Sequence, residues 1–537
     1  MLKYFGVLLV IGVLVVAIIS FQKTKAVPNE KDLLQVKSTS GDKTKKVILI
    51  VVDSLMATAI DKGIMQKELP TFQYLIKHGQ YYKDLVSSFP TMSVTIDSSL
   101  LTGTYPDGHH IPGLTWYSAK DTKLINYGTG PMEVIKLGVN PVLEDALIHL
   151  NGKHLNPEQT TIYDDLAKEG KKSGSINGLI YRGPVKHTLS VPLWMDASTS
   201  LPQSLEVKGP DLLALGSFSD PLTEIEKPDG LTHRMGINNQ YSLLTAEYLI
   251  KNNKLPDFLY IYLPDLDKKL HKHGPNEQNG IKATDQQLQS LLQSFGSLEE
   301  ALNQAIIVIV GDSGMSKVLP ADDNPVIELS SLLKDYQILR QEEGVAGDTE
   351  IVLAVNETMA YIYSLKSDKL KDIASNIRTD QRIDIISWKE GEWINVIGDE
   401  IAEVLRYKMN GNLTDPYGQK WTVEQAPDVL DLSINSEDQT IRYGKYPDVL
   451  RRLYGALHSH SGEFLVVTAK PGYELADKNS PSHKGGGSHG AFGHAESLVP
   501  LIISGTDAKP EHLRMVDLKA YLMKLVTKQQ PNIEKGR

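Results

Sequence analysis

Cysteine is absent from this 537-residue chain, so no disulfide braces the fold, no thiolate ligates a metal, and no lipid-modified cysteine tethers the N-terminus. Any staple must be a metal or packing. A positive charge excess is missing as well: 56 Lys and Arg stand against 66 Asp and Glu, a net charge of −10. A general nucleic-acid binder needs a basic surface to neutralise phosphates, so no stable nucleic-acid partner is expected. Small phosphoesters remain open as ligands. Internal repeats and low-complexity tracts are also lacking, which sets aside a repeat array.

Long uncharged runs are scarce, and the one that stands out runs from Tyr4 to Phe21 behind Met1-Leu2-Lys3. Its length is close to that of a bilayer span, and no convincing small-residue cleavage site follows it. Residues 1–25 are therefore read as a retained N-terminal transmembrane helix, with a cleaved signal peptide as the alternative, and residues 26–45 as a polar, lysine-rich linker. The length exceeds the usual single hydrophobic core and calls for a large domain plus an insertion. Apolar β-type runs (47–52, 258–263, 306–310, 498–503) alternate with helical patterns (69–78, 161–170, 241–250, 284–305, 517–525). This alternation predicts an α/β fold, a mostly parallel central sheet flanked by helices on both faces. Residues 46–343 are assigned to the first part of that core and 461–537 to its return segment. Between them, 344–460 is a mixed stretch without catalytic-looking clusters, expected as an inserted α+β cap region.

Chemistry gathers where the apolar runs stop. The run 47–52 ends in Asp53, and the run 306–310 ends in Gly311-Asp312-Ser313-Gly314-Met315. Acids at strand ends also cap helices, yet two of them at the carboxyl ends of parallel strands lie where open α/β sheets place their sites. Ser93 opens a helical pattern that closes at Thr102-Gly103. A serine there is an ordinary helix cap, or a hydroxyl set among exposed amides that suit a phosphoryl group. After the run 258–263 come Asp267 and His271, four residues apart, so a helical turn would put both on one face to grip a single cation. Asp265 and His273 are their decoys. His483 and His489 sit in the glycine-rich segment before the last strand, and one of them is expected to complete a metal site. His109, His110, His458 and His460 are read as structural, surface or supporting groups. Trp116 and Tyr117 are read as packing, with stacking on a nucleobase left open.

In this order, Asp53, a hydroxyl before Thr102-Gly103-Thr104-Tyr105-Pro106, Asp267 to Pro275, Gly311 to Met315 and Gly487 to Gly490, the chain resembles the alkaline phosphatase superfamily. Within it, the type I phosphodiesterase/nucleotide pyrophosphatase family fits best, over about residues 46–505. The resemblance implies an alkaline phosphatase-like sheet and two divalent cations, zinc first, manganese or calcium otherwise. One cation would be held by Asp267, His271 and His489, the other by Asp53, Asp312 and the Ser93 oxygen. Ser93 falls on the family's nucleophile and would form a phosphoseryl intermediate in hydrolysis of phosphodiester or pyrophosphate bonds. Two departures stand out. Ser313 occupies a position where the family carries a histidine ligand, and Ile96 one where it often uses an asparagine, with Asp97 beside it.

The implied substrate is a small phosphoester or nucleotide-like molecule. The implied location is the cell membrane, single-pass, with the catalytic domain outside, or secretion in the alternative. A phosphomonoesterase or phosphoryl transferase and a non-catalytic surface binding protein are the competing functions. A sulfatase is set aside, because Ser93-Val94-Thr95-Ile96-Asp97 lacks the Pro and Arg of that family's signature.

Overall fold

The computed structural model describes residues 44–128, 139–191, 201–222, 225–339, 345–367, 369–398, 401, 403–478 and 480–528. The expected membrane helix and most of the linker lie outside these residues. Among the described residues, no helix is long and apolar enough to cross a membrane.

The core is a seven-stranded sheet built from β1 (Lys46–Val52), β2 (Gly79–Val86), β3 (Ser173–Ile176), β4 (Leu212–Ala214), β5 (Phe258–Leu263), β6 (Ala305–Gly311) and β7 (Leu498–Ser504), in the order β2-β7-β6-β1-β5-β3-β4. The central strands read as unbroken apolar runs because both faces are covered. Ile48, Ile50 and Val52 of β1 enter one hydrophobic cluster, and Val47, Leu49 and Val51 enter the other. Helices Ala57–Met65, Pro70–Lys77, Asn239–Lys251 and Asn279–Gln293 pack on the first face. Helix α1 (Ser93–Thr102), Ile162–Lys168 and Leu518–Thr527 pack on the second. The pattern expected as one helix over 284–305 is two helices, Asn279–Gln293 and Leu298–Gln304. Gly296, at φ +110°, makes the break that a side chain would resist.

Register does the positioning. β1 pairs in parallel with β6, Val52 opposite Gly311, and with β5, Val52 opposite Leu263. The residues that follow these strands, Asp53, Asp312 and helix α2 (Asp265–His273), therefore emerge together at one sheet edge. β7 runs antiparallel to β6 and β2, so it starts where the others stop. The glycine-rich segment before β7 and the segment after β2 are thus brought over the same edge.

A nine-stranded second sheet occupies the stretch expected as the cap. It includes the hairpin Ile351–Asn356/Met359–Ser364 and the strand Ile383–Glu390, with helices Val449–Leu457 and Leu370–Ile377 on opposite faces. Strand Glu463–Ala469, which the expected boundary at 460 leaves to the core, pairs between Met359–Ser364 and Ile383–Glu390 in the middle of this sheet. Its unbroken apolar run, buried on both faces, fits either sheet, and only pairing decides.

Candidate active site

All six expected residues meet at the carboxyl edge of the sheet. Helix α2 is amphipathic and short, and its i,i+4 spacing sets the Asp267 carboxylate 3.1 Å from His271 Nε2. His489 Nε2 reaches the same carboxylate oxygen at 3.6 Å. Both rings are anchored at their other nitrogen: His271 Nδ1 donates to Gly487 O at 2.9 Å and His489 Nδ1 to Thr91 O at 2.6 Å. A carbonyl only accepts, so both rings carry the proton on Nδ1 and present Nε2 to Asp267, the arrangement by which imidazole ligands are held. One donor atom from each of Asp267, His271 and His489 lies within 4.8 Å of the others.

The other half of the site is acid and hydroxyl. Asp312 accepts from the Ser54 and Ser313 amides at 2.9 and 2.6 Å through one oxygen. Its second oxygen is buried with no hydrogen-bond partner. Asp53 accepts from the Tyr262 hydroxyl and, at 3.5 Å, from Ser93 Oγ. Ser93 is the first residue of α1, and its backbone enters the helix without a side-chain cap. Its hydroxyl is therefore not spent on capping, the ordinary use of a serine in that place. Thr91, the nearby alternative hydroxyl, is fully engaged: it donates to Ala491 O and accepts from the Gly490 amide, latching the segment that carries His489.

Electrostatics divide the site. Burial raises the Asp53 carboxyl well above its usual range, and Asp312 and Asp267 raise it further against the Tyr262 hydrogen bond. Asp312 is raised by burial and by Asp267, against the two amides and His489. In the other half, burial of Asp267 is outweighed by His271 and His489, which hold it well below the usual range. Burial of His271 and His489 is likewise outweighed, chiefly by Glu357, and both imidazoles are pushed up to about 10. The imidazole half is charge-compensated. The Asp53–Asp312 half gathers buried carboxyls that raise one another, offset only in part by His489.

Several contributors carry no sequence signal. Glu357 sits at φ +60° in the turn of the cap hairpin, with Oε1 3.7 Å from His271 Nε2 and Oε2 accepting from Ser488 Oγ at 2.7 Å. Burial is overcome there by His271, His489 and His483, and Glu357 is pulled down to about 2. The stretch 344–460, read as lacking catalytic-looking clusters, thus supplies one charged group to the site. Ser54 Oγ donates to Asp267 at 2.8 Å and lies 3.2 Å from Ser313 Oγ, so Ser313 faces another hydroxyl where the family pattern has a histidine. His483, the other histidine of the glycine-rich segment, stacks on His271 with ring centroids 4.2 Å apart.

The remaining expected residues lie elsewhere. Asp265 accepts from the Asn239 amide and faces Arg234, and His273 is exposed. His109 is buried, with Nε2 3.0 Å from Ser99 Oγ. Ile96 is fully buried in the core of the second face, so nothing there reaches a phosphate. Trp116 and Tyr117 are 7% and 3% exposed and pack edge-on against His460 and Tyr363. That leaves no open ring face to a nucleobase. His460, read as a surface or supporting group, stacks on Phe464 inside the cap.

An α/β protein with carboxylates, imidazoles and one free hydroxyl at the carboxyl edge of a mostly parallel sheet is the class that these features define. The chain belongs to the type I phosphodiesterase/nucleotide pyrophosphatase family, whose model matches residues 47–492. A search of curated proteins by sequence finds no match. Among solved structures, the chain is similar to murine ectonucleotide pyrophosphatase/phosphodiesterase 5, in an inactive form in complex with AMP, at TM-score 0.51 and 14% identity over 92% of this chain and 97% of that one. A second murine structure gives 0.51 and 14% over 92% and 98%. The human protein of the same name gives 0.52 and 14% over 92% and 97%. At this identity the likeness is one of fold.

Proposed function

We propose that the protein hydrolyses phosphodiester or pyrophosphate bonds of a small nucleotide-like substrate, with Ser93 as nucleophile. The observation that carries the proposal is the placing of the Ser93 hydroxyl, at the start of α1, against the buried carboxylates Asp53 and Asp312, whose burial His489 offsets only in part. Those residues suit a pair of divalent cations. The partnerless oxygen of Asp312 and the raised Asp53 carboxyl both call for positive charge, and mixed carboxylate and imidazole donors suit zinc, with manganese or calcium as alternatives. Asp267, His271 and His489 would hold one cation, and Asp53, Asp312 and Ser93 Oγ the other. Bound there, they would supply Lewis-acid polarisation of the phosphoryl oxygens and lower the pKa of the serine hydroxyl.

The protein's own residues do the rest. Asp53 orients Ser93 Oγ and, with Tyr262 donating to its far oxygen, is itself held in place. Ser93 Oγ attacks phosphorus, its proton passes to solvent water, and the P–O bond to the leaving group breaks, the departing oxygen taking up a proton from solvent water. The product is a phosphoseryl ester that still carries the retained substituent. The amino-terminal end of α1 places helix amides and a positive dipole end beside the phosphoryl group. Water then cleaves the Ser93–phosphorus ester and releases a phosphate monoester. The AMP bound by the murine neighbour supports a nucleotide-like substrate for this chain.

The uncharged segment from Tyr4 to Phe21 supports a membrane anchor, and membership of the family supports a catalytic region that faces outward. Protease added to intact cells should remove the catalytic region, and full protection would refute that arrangement. For the chemistry, Ser93→Ala should abolish turnover of a chromogenic diester while circular dichroism stays unchanged. Retained turnover would defeat the assignment.

A further inference from the structure

A second cluster of ligating side chains lies outside the site, on a segment that neither the motifs nor the proposed chemistry uses. Residues Asp145–His154 form a π-helix, with Leu155 N bonded to Leu150 O five residues back at 2.9 Å. Helices of this type are rare and mark functional positions. In an α-helix of 3.6 residues per turn, Asp145 and His149 would share a face but His154, five residues further on, would turn away. The π turn brings it back: the His149 and His154 rings lie 5.5 Å apart, and one donor atom from each of the three residues lies within 4.8 Å of the others.

Two of these groups are buried. Asp145 is 1% exposed and His154 7%, and His154 Nε2 has no hydrogen-bond partner among the described residues, a state that costs ~1–3 kcal/mol when nothing fills it. Its Nδ1 lies 2.8 Å from the Tyr127 hydroxyl, which also accepts from Trp116 Nε1. Asp145 Oδ1 lies 2.9 Å from His149 Nδ1 and 3.1 Å from the ammonium of Lys123, a side chain 39% exposed.

We propose that Asp145, His149 and His154 form a binding site for one divalent cation of the zinc class, separate from the catalytic residues, which fixes the π turn that brings the three side chains together. The chemistry matches a carboxylate-and-two-imidazole set, and a shell of ~2.1 Å bonds needs only a small closing of the observed spread. His154 donates its Nδ1 proton to Tyr127, which leaves the Nε2 lone pair for the cation. Lys123 is the competing cation, and it swings into solvent when the metal binds. The site goes beyond the proposed hydrolysis and does not depend on it.

The test is zinc content after equilibrium dialysis of the full chain against zinc, with circular dichroism and thermal unfolding as controls. The double variant Asp53→Asn/Asp267→Asn, weakened at the catalytic positions, should still retain one tightly bound zinc. Adding His149→Gln should remove it, and adding Lys123→Met should tighten it by at least ~10-fold, the lower end of what groups beside a ligand set contribute. In the otherwise unaltered chain, His149→Gln should subtract one zinc and leave diester turnover unchanged, which keeps the test open if the double variant folds poorly. Zinc content that His149→Gln does not change in either background overturns the proposal. A folded double variant that holds no zinc overturns it equally.

Discussion

Asp97 lies one helical turn beyond Ser93 and is completely buried, with the Tyr260 hydroxyl donating to one oxygen and the Leu179 backbone amide close by. Burial pushes its carboxyl up to about 8, against the Tyr260 bond. In the unfolded chain the same group titrates near ~3.9. The folded protein therefore binds one more proton than the unfolded chain between those values, and stability falls as pH rises from about 4 to about 8. The shift is about four units, which corresponds to on the order of 5 kcal/mol at pH 8. Asp97→Asn keeps the shape and an acceptor for Tyr260 but removes the charge. The variant should gain at least ~2 kcal/mol over the parent at pH 8, allowing for relaxation around the buried group, and differ little at pH 4.5. Urea unfolding of both proteins at several pH values, with chelator present, measures the difference directly. Stability curves that run parallel across this range would show that Asp97 is ionised in the fold and would refute the reasoning.

Glu357→Gln removes the negative charge that holds His271 and His489 but keeps the hairpin shape. It should weaken cation retention by ~10–100-fold with unchanged circular dichroism, measured by competition with a chelating dye. Gly490 stands at φ +140°, and an added Cβ would meet Asn356 O at 2.5 Å, so Gly490→Ala should cost ~1–3 kcal/mol and displace His489, seen as lower stability together with lost turnover. Arg452, buried in the cap helix, donates to Ser88 O, Ser497 Oγ, Pro447 O and Phe492 O. It ties the cap to segments on either side of the site, so Arg452→Met should lower stability by ~3 kcal/mol or more in thermal or urea unfolding.

The sheet and the six central residues were legible because local signals coincide with tertiary ones. Apolar strands that stop at Asp53 and Asp312 are parallel strands buried on both faces, and four-residue spacing on α2 is a contact in any helix. The register that brings Val52 opposite both Leu263 and Gly311 could only be inferred from the motifs that it serves. Glu357 was not legible, since an Asn-Glu-Thr turn between apolar strands looks like any hairpin and gains its role from where the cap docks. The same docking buries Trp116, Tyr117 and His460, which settles the stacking that the sequence left open for the aromatic pair. Ile96 seemed a loss beside the nucleophile, yet its side chain enters the core, so its identity answers packing rather than phosphate binding. The π-helix was hidden for another reason: Asp145, His149 and His154 line up only when the turn widens, and helical periodicity read at 3.6 residues separates them.

The claim on which the chemistry rests is that Ser93 carries the phosphoryl group. Acid quenching during turnover of a slow diester, followed by peptide mass mapping, should find the phosphoryl adduct on the peptide containing Ser93, and no adduct in Ser93→Ala. An adduct on another residue, such as Ser54 or Thr91, or full turnover by Ser93→Ala, would contradict it.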